Sequence, residues 1–262
     1  MKTYVVKFGG SVITDKKKDQ RAVNTRKLKQ LCSEVSNVLN KEDVKVVIVH
    51  GAGPYGHVPA KKYKLKQGLR SEMQVRGVSE TRNSMGKLNA KVVDALVKEG
   101  VNAVAFQPSA CGILKRGRIV EFQVKALKKL VDAGLTPVLY GDVLVDLEKG
   151  VDILSGDQLV PYLAEKLCAD KVVIVTSYNG VFDKDPCLKD ARKYDLIDSE
   201  IMRGLKGRKT DGTDVTGGIV GKISELLAIA RKGIPSEIIG SDRGYLRRTL
   251  SGESGIGTAI KR

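Results

Sequence analysis

The residues best suited to chemistry in this 262-residue chain are lysines, glycines and histidines that lie in short polar segments. The segment KFGGS (7–11) directly follows an apolar run. Its paired glycines allow backbone N–H groups to approach an anion closely, and its lysine supplies positive charge. It is not a Walker A loop, because the G-x-x-x-x-G-K-[ST] pattern does not occur in the chain. Alone, the pair fits a phosphate-binding turn and an ordinary tight turn equally well.

Both histidines of the chain lie in a second glycine-rich segment, HGAGPYGH (50–57). Its glycines predict a backbone cradle that ends at His57. An imidazole titrates near neutral pH and donates hydrogen bonds to phosphoryl oxygens. We therefore expect His57 to contact an anionic substrate, and His50 to be a core residue at the end of a strand.

Two further segments place charge at the start of predicted helices. In LSGDQ (154–158), either Ser155 or Asp157 is the N-cap of a helix, or the Asp157 carboxylate instead orients lysines or substrate at the mouth of a crevice. Lys222, in DVTGGIVGK (214–222), falls about one turn into a helix predicted to begin at Gly217. An ammonium group near the positive end of a helix dipole is unfavourable unless it faces an anion, which indicates a phosphate neighbour. Together the four segments predict phosphoryl transfer, because that reaction depends mainly on positioning and charge stabilisation.

Alternating apolar and amphipathic segments must position these residues. Buried strands are predicted at 4–8, 44–50, 101–106, 135–140, 171–176 and 235–240. Helices are predicted at 22–41, 78–99, 123–133, 157–168 and 217–232. This alternation predicts an α/β fold with a parallel sheet covered by helices on both faces, whose ligands bind at the carboxyl ends of the strands. The polar stretch 183–215 predicts a long excursion with a short helix near 198–205.

Composition narrows the class of protein. The formal net charge is +16, which suits nucleic acid, an anionic membrane or a polyphosphate ligand. Aromatic residues make up only 5% of the chain and no C2H2 or RNP-like pattern occurs, so no nucleic-acid partner is expected. No apolar run approaches the length of a membrane span, no signal peptide is evident, and the 4 cysteines lack C-x-x-C spacing. We therefore expect a cytoplasmic protein with no membrane partner, no zinc site and no disulfide framework.

The order and spelling of these segments resemble the amino acid kinase superfamily and, within it, the archaeal-type isopentenyl phosphate kinases. The resemblance runs over nearly the whole chain and includes FQPSA (106–110), PVLYGDV (137–143), NGVFDKDP (179–186) and GTAI (257–260). The K-x-G-G-S segment is shared across the superfamily. The H-G-[GA]-G-x-x-G-H segment, followed by S-G-D and D-V-T-G-G, is similar only to isopentenyl phosphate kinases and the related fosfomycin kinases.

The resemblance implies an open αβα sandwich with a largely parallel central sheet, in one continuous domain. Its N-terminal lobe (1–170) would bind the phosphate acceptor and form a homodimer, and its C-terminal lobe (171–262) would bind the nucleotide. The implied reaction is the ATP-dependent phosphorylation of isopentenyl phosphate to isopentenyl diphosphate in a variant of the mevalonate pathway of isoprenoid biosynthesis. Mg²⁺ would bridge the β- and γ-phosphates with few or no direct protein ligands.

The resemblance also implies a role for individual residues. The implied catalytic residues are Lys7, Lys16, His57, Asp157 and Lys222. The implied nucleotide-binding residues are Lys7, Gly9, Gly10, Ser11, Gly53, Ser177, Phe182, Lys184, Asp185, Gly217 and Lys222. The implied acceptor-binding residues are Ala52, Gly56, His57 and Gly156.

Two departures from the family pattern keep alternatives open. TSYNG (176–180) stands where the family commonly has T-D-x-D-G, which removes two carboxylates near the expected adenosine site. Pro54 and Tyr55 replace a commoner Ser-Phe pair. One alternative is a kinase for another small phosphate or phosphonate, such as fosfomycin or dimethylallyl phosphate. The other is a non-catalytic basic sensor or RNA-binding protein on the same fold.

Overall fold

The computed structural model describes residues 1–15, 22–206 and 215–262. The strands among them are β1 (Lys2–Phe8), β2 (Thr14–Asp15), β3 (Ala22–Val23), β4 (Val44–His50), β5 (Ala103–Ala105), β6 (Gly112–Lys115), β7 (Arg118–Phe122), β8 (Thr136–Tyr140), β9 (Asp142–Asp146), β10 (Gly150–Leu154), β11 (Lys171–Val175), β12 (Val181–Phe182), β13 (Lys193–Tyr194), β14 (Leu196–Ile197), β15 (Ser236–Ile239) and β16 (Thr258–Ile260). The helices are α1 (Gly10–Ile13), α2 (Thr25–Leu39), α3 (Gly53–Lys62), α4 (Glu72–Lys98), α5 (Pro108–Cys111), α6 (Val124–Asp132), α7 (Gly156–Lys166), α8 (Ser199–Lys206), α9 (Val215–Ala230) and α10 (Tyr245–Leu250).

The central sheet has eight strands in the order β14-β16-β15-β11-β1-β4-β8-β5. Adjacent strands of this sheet run parallel to each other, except β15 and β16, which are antiparallel. The predicted, largely parallel sheet is therefore confirmed. β1 lies between β4 and β11, with Phe8 opposite His50 and Val175. The segments that follow these three strands therefore meet at one edge of the sheet.

Apolar side chains cover both faces of this sheet. Within β1, Val6 and Phe8 pack into the core beneath α2 and α4, whereas Val5 packs into the core beneath α6, α7 and α9. Successive side chains of a strand point to opposite faces, so a strand buried on both faces needs a continuous apolar run. The six predicted strands and the predicted αβα layering are confirmed.

A smaller sheet, in the order β10-β9-β6-β7, was not predicted. β9 and β10 form one antiparallel hairpin and β6 and β7 another, and β6 pairs with β9 in parallel. The short helix predicted near 198–205 is α8. Within the described ranges, no helix combines the length and apolar character that a bilayer crossing demands.

Candidate active site

A cleft of about 730 Å³ opens where β1, β4 and β11 end. It is lined by the loop after β1, the loop after β4 with the first turns of α3, the start of α7 and Lys222 of α9. The predicted site residues on its wall are Lys7, Gly9, Gly10, Ser11, Ala52, Gly53, Gly56, His57, Gly156, Asp157 and Lys222. The fold thus brings together residues that lie far apart in the sequence.

Two lysines converge on one carboxylate at the floor of this cleft. Lys7 Nζ lies 2.8 Å and Lys222 Nζ 2.5 Å from the same atom, Asp157 Oδ1. Burial lowers the pKa of Lys7 to about 8, and repulsion from Lys222 opposes the attraction of Asp157. Burial acts to raise the pKa of Asp157, but the two ammonium groups hold it below its ordinary value. The group is a preassembled cationic centre with one negative charge between two positive ones.

The start of α7 shows why Asp157 is available to the lysines. Ser155 is the N-cap, and its hydroxyl accepts a hydrogen bond from the Gln158 backbone N–H at 3.2 Å in a capping box. Of the two roles left open for Asp157, orienting lysines is therefore the one observed. A Cβ at Gly156 would lie 3.0 Å from Lys7 Cε, so glycine leaves the passage through which Lys7 reaches Asp157.

The glycines of the first two loops allow the loops to touch. A Cβ on Gly10 would lie 2.5 Å from the backbone nitrogen of Gly53, and a Cβ on Gly51 would lie 2.5 Å from that of Gly10. Gly53 also has a φ of +49°, a left-handed conformation that favours glycine. Backbone contact between the loops is thus one reason for the paired glycines, and it keeps two sets of N–H groups side by side.

His57 lies on a helix and not at the end of a cradle, which corrects the prediction for this segment. α3 begins at Gly53, so His57 stands in its second turn, exposed on the wall of the cleft. Pro54 occupies the first turn, where proline fits a helix because no backbone donor is needed there. A Cβ on Gly56 would lie 2.7 Å from the Ala52 Cβ and 3.0 Å from Met85 Sδ, so this glycine is required by close packing against the residue that precedes α3 and against α4.

His50 is a buried core residue, as predicted. Its ring stacks on Tyr140 with centroids 5.3 Å apart, and its Nδ1 lies 3.1 Å from the Gly51 carbonyl oxygen. Its Nε2 accepts from the Asn89 amide at 3.2 Å, which requires the proton to be on Nδ1. Burial lowers the pKa of His50 to about 4, so this side chain stays neutral and fixes the start of the glycine loop.

The residues predicted on the nucleotide side are only partly gathered at the cleft. Ser177 Oγ lies 3.0 Å from Ser11 Oγ, so two hydroxyls meet between the loops after β1 and β11. Asn179 donates to the Ile256 carbonyl and accepts from the Gly240 N–H, which gives this amide a structural role that a carboxylate could fill only in part.

The remaining predicted residues lie elsewhere. Phe182 belongs to β12, Lys184 pairs with Asp190, and Asp185 accepts from the Cys187 N–H, so this segment is bonded within its own loop. Gly217 lies in the first turn of α9. α9 begins at Val215, so Lys222 is about two turns into the helix, and the anion that it faces is Asp157. Lys16 and Asp214 lie outside the described residues.

An apolar wall of the cleft was not assigned from the sequence. Met85 of α4, Val143 of β9 and Ile153 of β10 line it, together with the methyl-bearing Thr81. The sequence predicts the helix that supplies Met85, whereas Val143 and Ile153 belong to the smaller sheet, which the sequence does not predict. The cleft therefore joins a cationic floor to a wall that can accept a short hydrocarbon.

The amino acid kinase family model matches residues 2–240 of the chain. An isopentenyl phosphate kinase from Methanothermobacter thermautotrophicus is 38% identical and covers 98% of both chains. One from Arabidopsis thaliana is 32% identical over 87% of this chain and 76% of the plant protein. Acetylglutamate kinase from Chlorobaculum parvum is more distant, at 27% identity.

Solved structures give the same grouping. An isopentenyl phosphate kinase structure superposes with a TM-score of 0.85 at 35% identity, covering 99% of this chain and 100% of the other. The product complex of the T. acidophilum isopentenyl phosphate kinase gives 0.81 at 28% identity, with the same coverage. Carbamate kinase from Giardia lamblia, at 19% identity and a TM-score of 0.70, shares the fold.

Proposed function

The chain belongs to the amino acid kinase family and, within it, to the isopentenyl phosphate kinases, and we propose that it transfers the γ-phosphoryl group of ATP to isopentenyl phosphate. The observation that carries this proposal is the cationic floor of Lys7, Asp157 and Lys222 beside His57 and an apolar wall in one cleft. The floor suits phosphate groups, the imidazole suits a second anion, and the wall suits a five-carbon chain.

The reaction needs charge cancellation more than proton transfer. An oxygen of the acceptor phosphate is already anionic, so it attacks the γ-phosphorus without a general base. The new P–O bond forms as the bond between the γ-phosphorus and the β–γ bridging oxygen breaks, and the electron pair of that bond leaves with ADP. Lys7 and Lys222 oppose the repulsion between the two anions and stabilise the charge that spreads over the transferring group.

Asp157 acts through the lysines. By accepting from both ammonium groups it holds them within reach of one phosphoryl group, although they come from a strand and from a distant helix. His57, on α3, holds the acceptor phosphate, and Ala52, Gly56 and Gly156 border it. Lys16, beside the glycine loop in the sequence, is proposed to join the cationic centre when both substrates are bound.

The nucleotide is proposed to lie over the end of β11. Gly9, Gly10, Ser11 and Ser177 would contact its phosphates, and the segment from Phe182 to Asp185 with Gly217 would lie toward the adenosine. The described residues contain no group of three or more metal-binding side chains, and Asp157 is engaged by two lysines. We propose that Mg²⁺ enters as part of the substrate, Mg·ATP, with few or no direct protein ligands, as the family resemblance implies.

This assignment divides the chain into an acceptor lobe (1–170) and a nucleotide lobe (171–262) that share one sheet. Support for a homodimer formed through the first lobe comes from the family resemblance. We propose a cytoplasmic location, where ATP is supplied.

A coupled assay of ADP release tests the function. Isopentenyl phosphate, dimethylallyl phosphate, fosfomycin and N-acetylglutamate are supplied in parallel at equal concentration. We expect the highest kcat/KM with isopentenyl phosphate and no turnover with N-acetylglutamate, whose acceptor carboxylate does not match His57. Turnover of fosfomycin alone, or of none of the four, overturns the proposal.

A further inference from the structure

The hairpin formed by β6 and β7 contacts two of the three elements that carry the cationic centre, namely α7 and α9. At its turn, the Gly117 N–H donates to Asp146 Oδ2 at 2.8 Å, and the Gly117 carbonyl accepts from Gln158 Nε2 at 3.4 Å. Gln158 belongs to the first turn of α7, beside Asp157. The next residue of the hairpin, Arg118, reaches α9. One turn of chain thus links the helix of Asp157 to the helix of Lys222.

Arg118 binds Glu225 with both of its terminal nitrogens. The two N–O distances are 2.6 and 3.3 Å, a fork geometry that fixes the direction of the carboxylate. The Arg118 side chain is 62% exposed, whereas that of Glu225 is 25% exposed. An exposed ion pair contributes little to the stability of a fold, so removing this contact should leave the overall stability nearly unchanged.

Glu225 lies three residues after Lys222 on α9. Side chains at this spacing are neighbours on a helix surface, and their opposite charges attract each other. Lys222 is 14% exposed, so a carboxylate released beside it would be only weakly screened by water. Without Arg118, Glu225 becomes a competitor for the ammonium group that Asp157 now holds at 2.5 Å.

We propose that Arg118 is a positioning residue, which holds the Glu225 carboxylate away from Lys222 so that the Lys222 ammonium stays on Asp157 and available to the transferring phosphoryl group. The inference rests on the proposed function, because it gives Lys222 a task in phosphoryl transfer. It adds a residue of the smaller sheet to a centre otherwise built from β1, α7 and α9.

The test compares Arg118→Met, Glu225→Gln and the double variant, with Arg116→Met as the matched control. Arg116 lies on the same turn, is 77% exposed and pairs with Glu148 on the neighbouring hairpin, so its loss leaves α9 untouched. We expect Arg118→Met to lower kcat about three- to fivefold with an unchanged KM for isopentenyl phosphate. Glu225→Gln and Arg116→Met should both stay close to wild type.

The double variant separates this idea from a purely mechanical link. If Arg118 acts by neutralising a competitor, removing the Glu225 charge restores kcat in the double variant, and Arg118→Lys retains most of the activity. If Glu225→Gln is as slow as Arg118→Met and the double variant is not rescued, the link is mechanical and the proposal is wrong. Full activity of Arg118→Met overturns it as well.

Binding of the ATP analogue AMP-PNP, measured by calorimetry, gives a readout that does not depend on the acceptor. Its Kd should rise in Arg118→Met by a similar factor and recover in the double variant. If the wild-type enzyme does not phosphorylate isopentenyl phosphate, the proposed function is refuted. The AMP-PNP Kd values of wild type, Arg118→Met and the double variant would still decide the role of Arg118. Equal AMP-PNP affinities in wild type and Arg118→Met contradict that role.

Discussion

Replacing Lys7 with methionine should stabilise the fold while it abolishes phosphoryl transfer. Lys7 lies on the central strand with only 8% of its side chain exposed. Its pKa falls from 10.5 to about 8, chiefly because burial penalises the ammonium group, and Asp157 offsets only part of that penalty. One pKa unit corresponds to about 1.4 kcal/mol, so the charged side chain costs the folded protein about 3 kcal/mol below pH 8.

The sign of this effect depends on pH. Because the folded pKa lies below the unfolded one, the penalty is complete below about pH 8 and fades as pH rises toward 10.5, where the unfolded chain also loses the proton. Methionine is of similar length and carries no charge. We expect Lys7→Met to be more stable than wild type at pH 7 by about 1–3 kcal/mol. The lower end of this range applies because Asp157 loses one of its two lysine partners and keeps only Lys222.

Urea denaturation of wild type and Lys7→Met at pH 7 and pH 10 measures the difference in their free energies of unfolding, and ADP release measures their activity. Lys45→Met is the control, since Lys45 pairs with Asp132 at 2.7 Å on the surface and its loss should change stability by less than about 1 kcal/mol. A Lys7→Met protein less stable than wild type at pH 7, or a gap of the same size at both pH values, would refute the reasoning.

Three more variants probe separate parts of the site. His57→Gln should lower kcat/KM for isopentenyl phosphate about 100-fold while the Kd for ATP, measured by calorimetry, stays within about twofold; an equal loss of ATP affinity would contradict the acceptor role. Asp157→Asn removes the attraction that supports the charge on Lys7, so the fall in kcat at high pH should begin at lower pH than in wild type, and an unmoved profile argues against this coupling. Ser177→Ala should raise KM for ATP about threefold, by loss of one hydrogen bond, and leave KM for the acceptor unchanged in initial-rate assays; a changed acceptor KM would place Ser177 elsewhere.

The sheet and its helices could be predicted because burial dictates their patterns. β1, β4 and β11 are buried on both faces, and such strands read as continuous β-branched runs. The residues of the cationic floor could be predicted as well, since each lies at a strand end or in a helix. The sequence leaves the orienting of lysines by Asp157 as one of two interpretations and does not show that both lysines meet one oxygen, because 150 residues separate Lys7 from Asp157 and 65 separate Asp157 from Lys222.

Other features were hidden by local composition. α3 contains glycines and prolines that suggest a loop, yet the segment is a helix that packs against α4, so tertiary contact overrides its weak helix propensity. In the smaller sheet, β7 is largely exposed, so this strand has no buried pattern to recognise. The sequence at Asn179 lacks a carboxylate that the family commonly has near the adenosine site, whereas the structure shows that the Asn179 amide bridges the Gly240 N–H and the Ile256 carbonyl, groups supplied by distant loops.

The most direct test of the central claim is a phosphorus NMR time course of wild-type enzyme with Mg·ATP and isopentenyl phosphate. The account predicts that the monophosphate resonance disappears as the two phosphorus doublets of isopentenyl diphosphate grow. One ADP is formed for each molecule of isopentenyl diphosphate. ADP that appears with inorganic phosphate while the isopentenyl phosphate signal stays constant would contradict it.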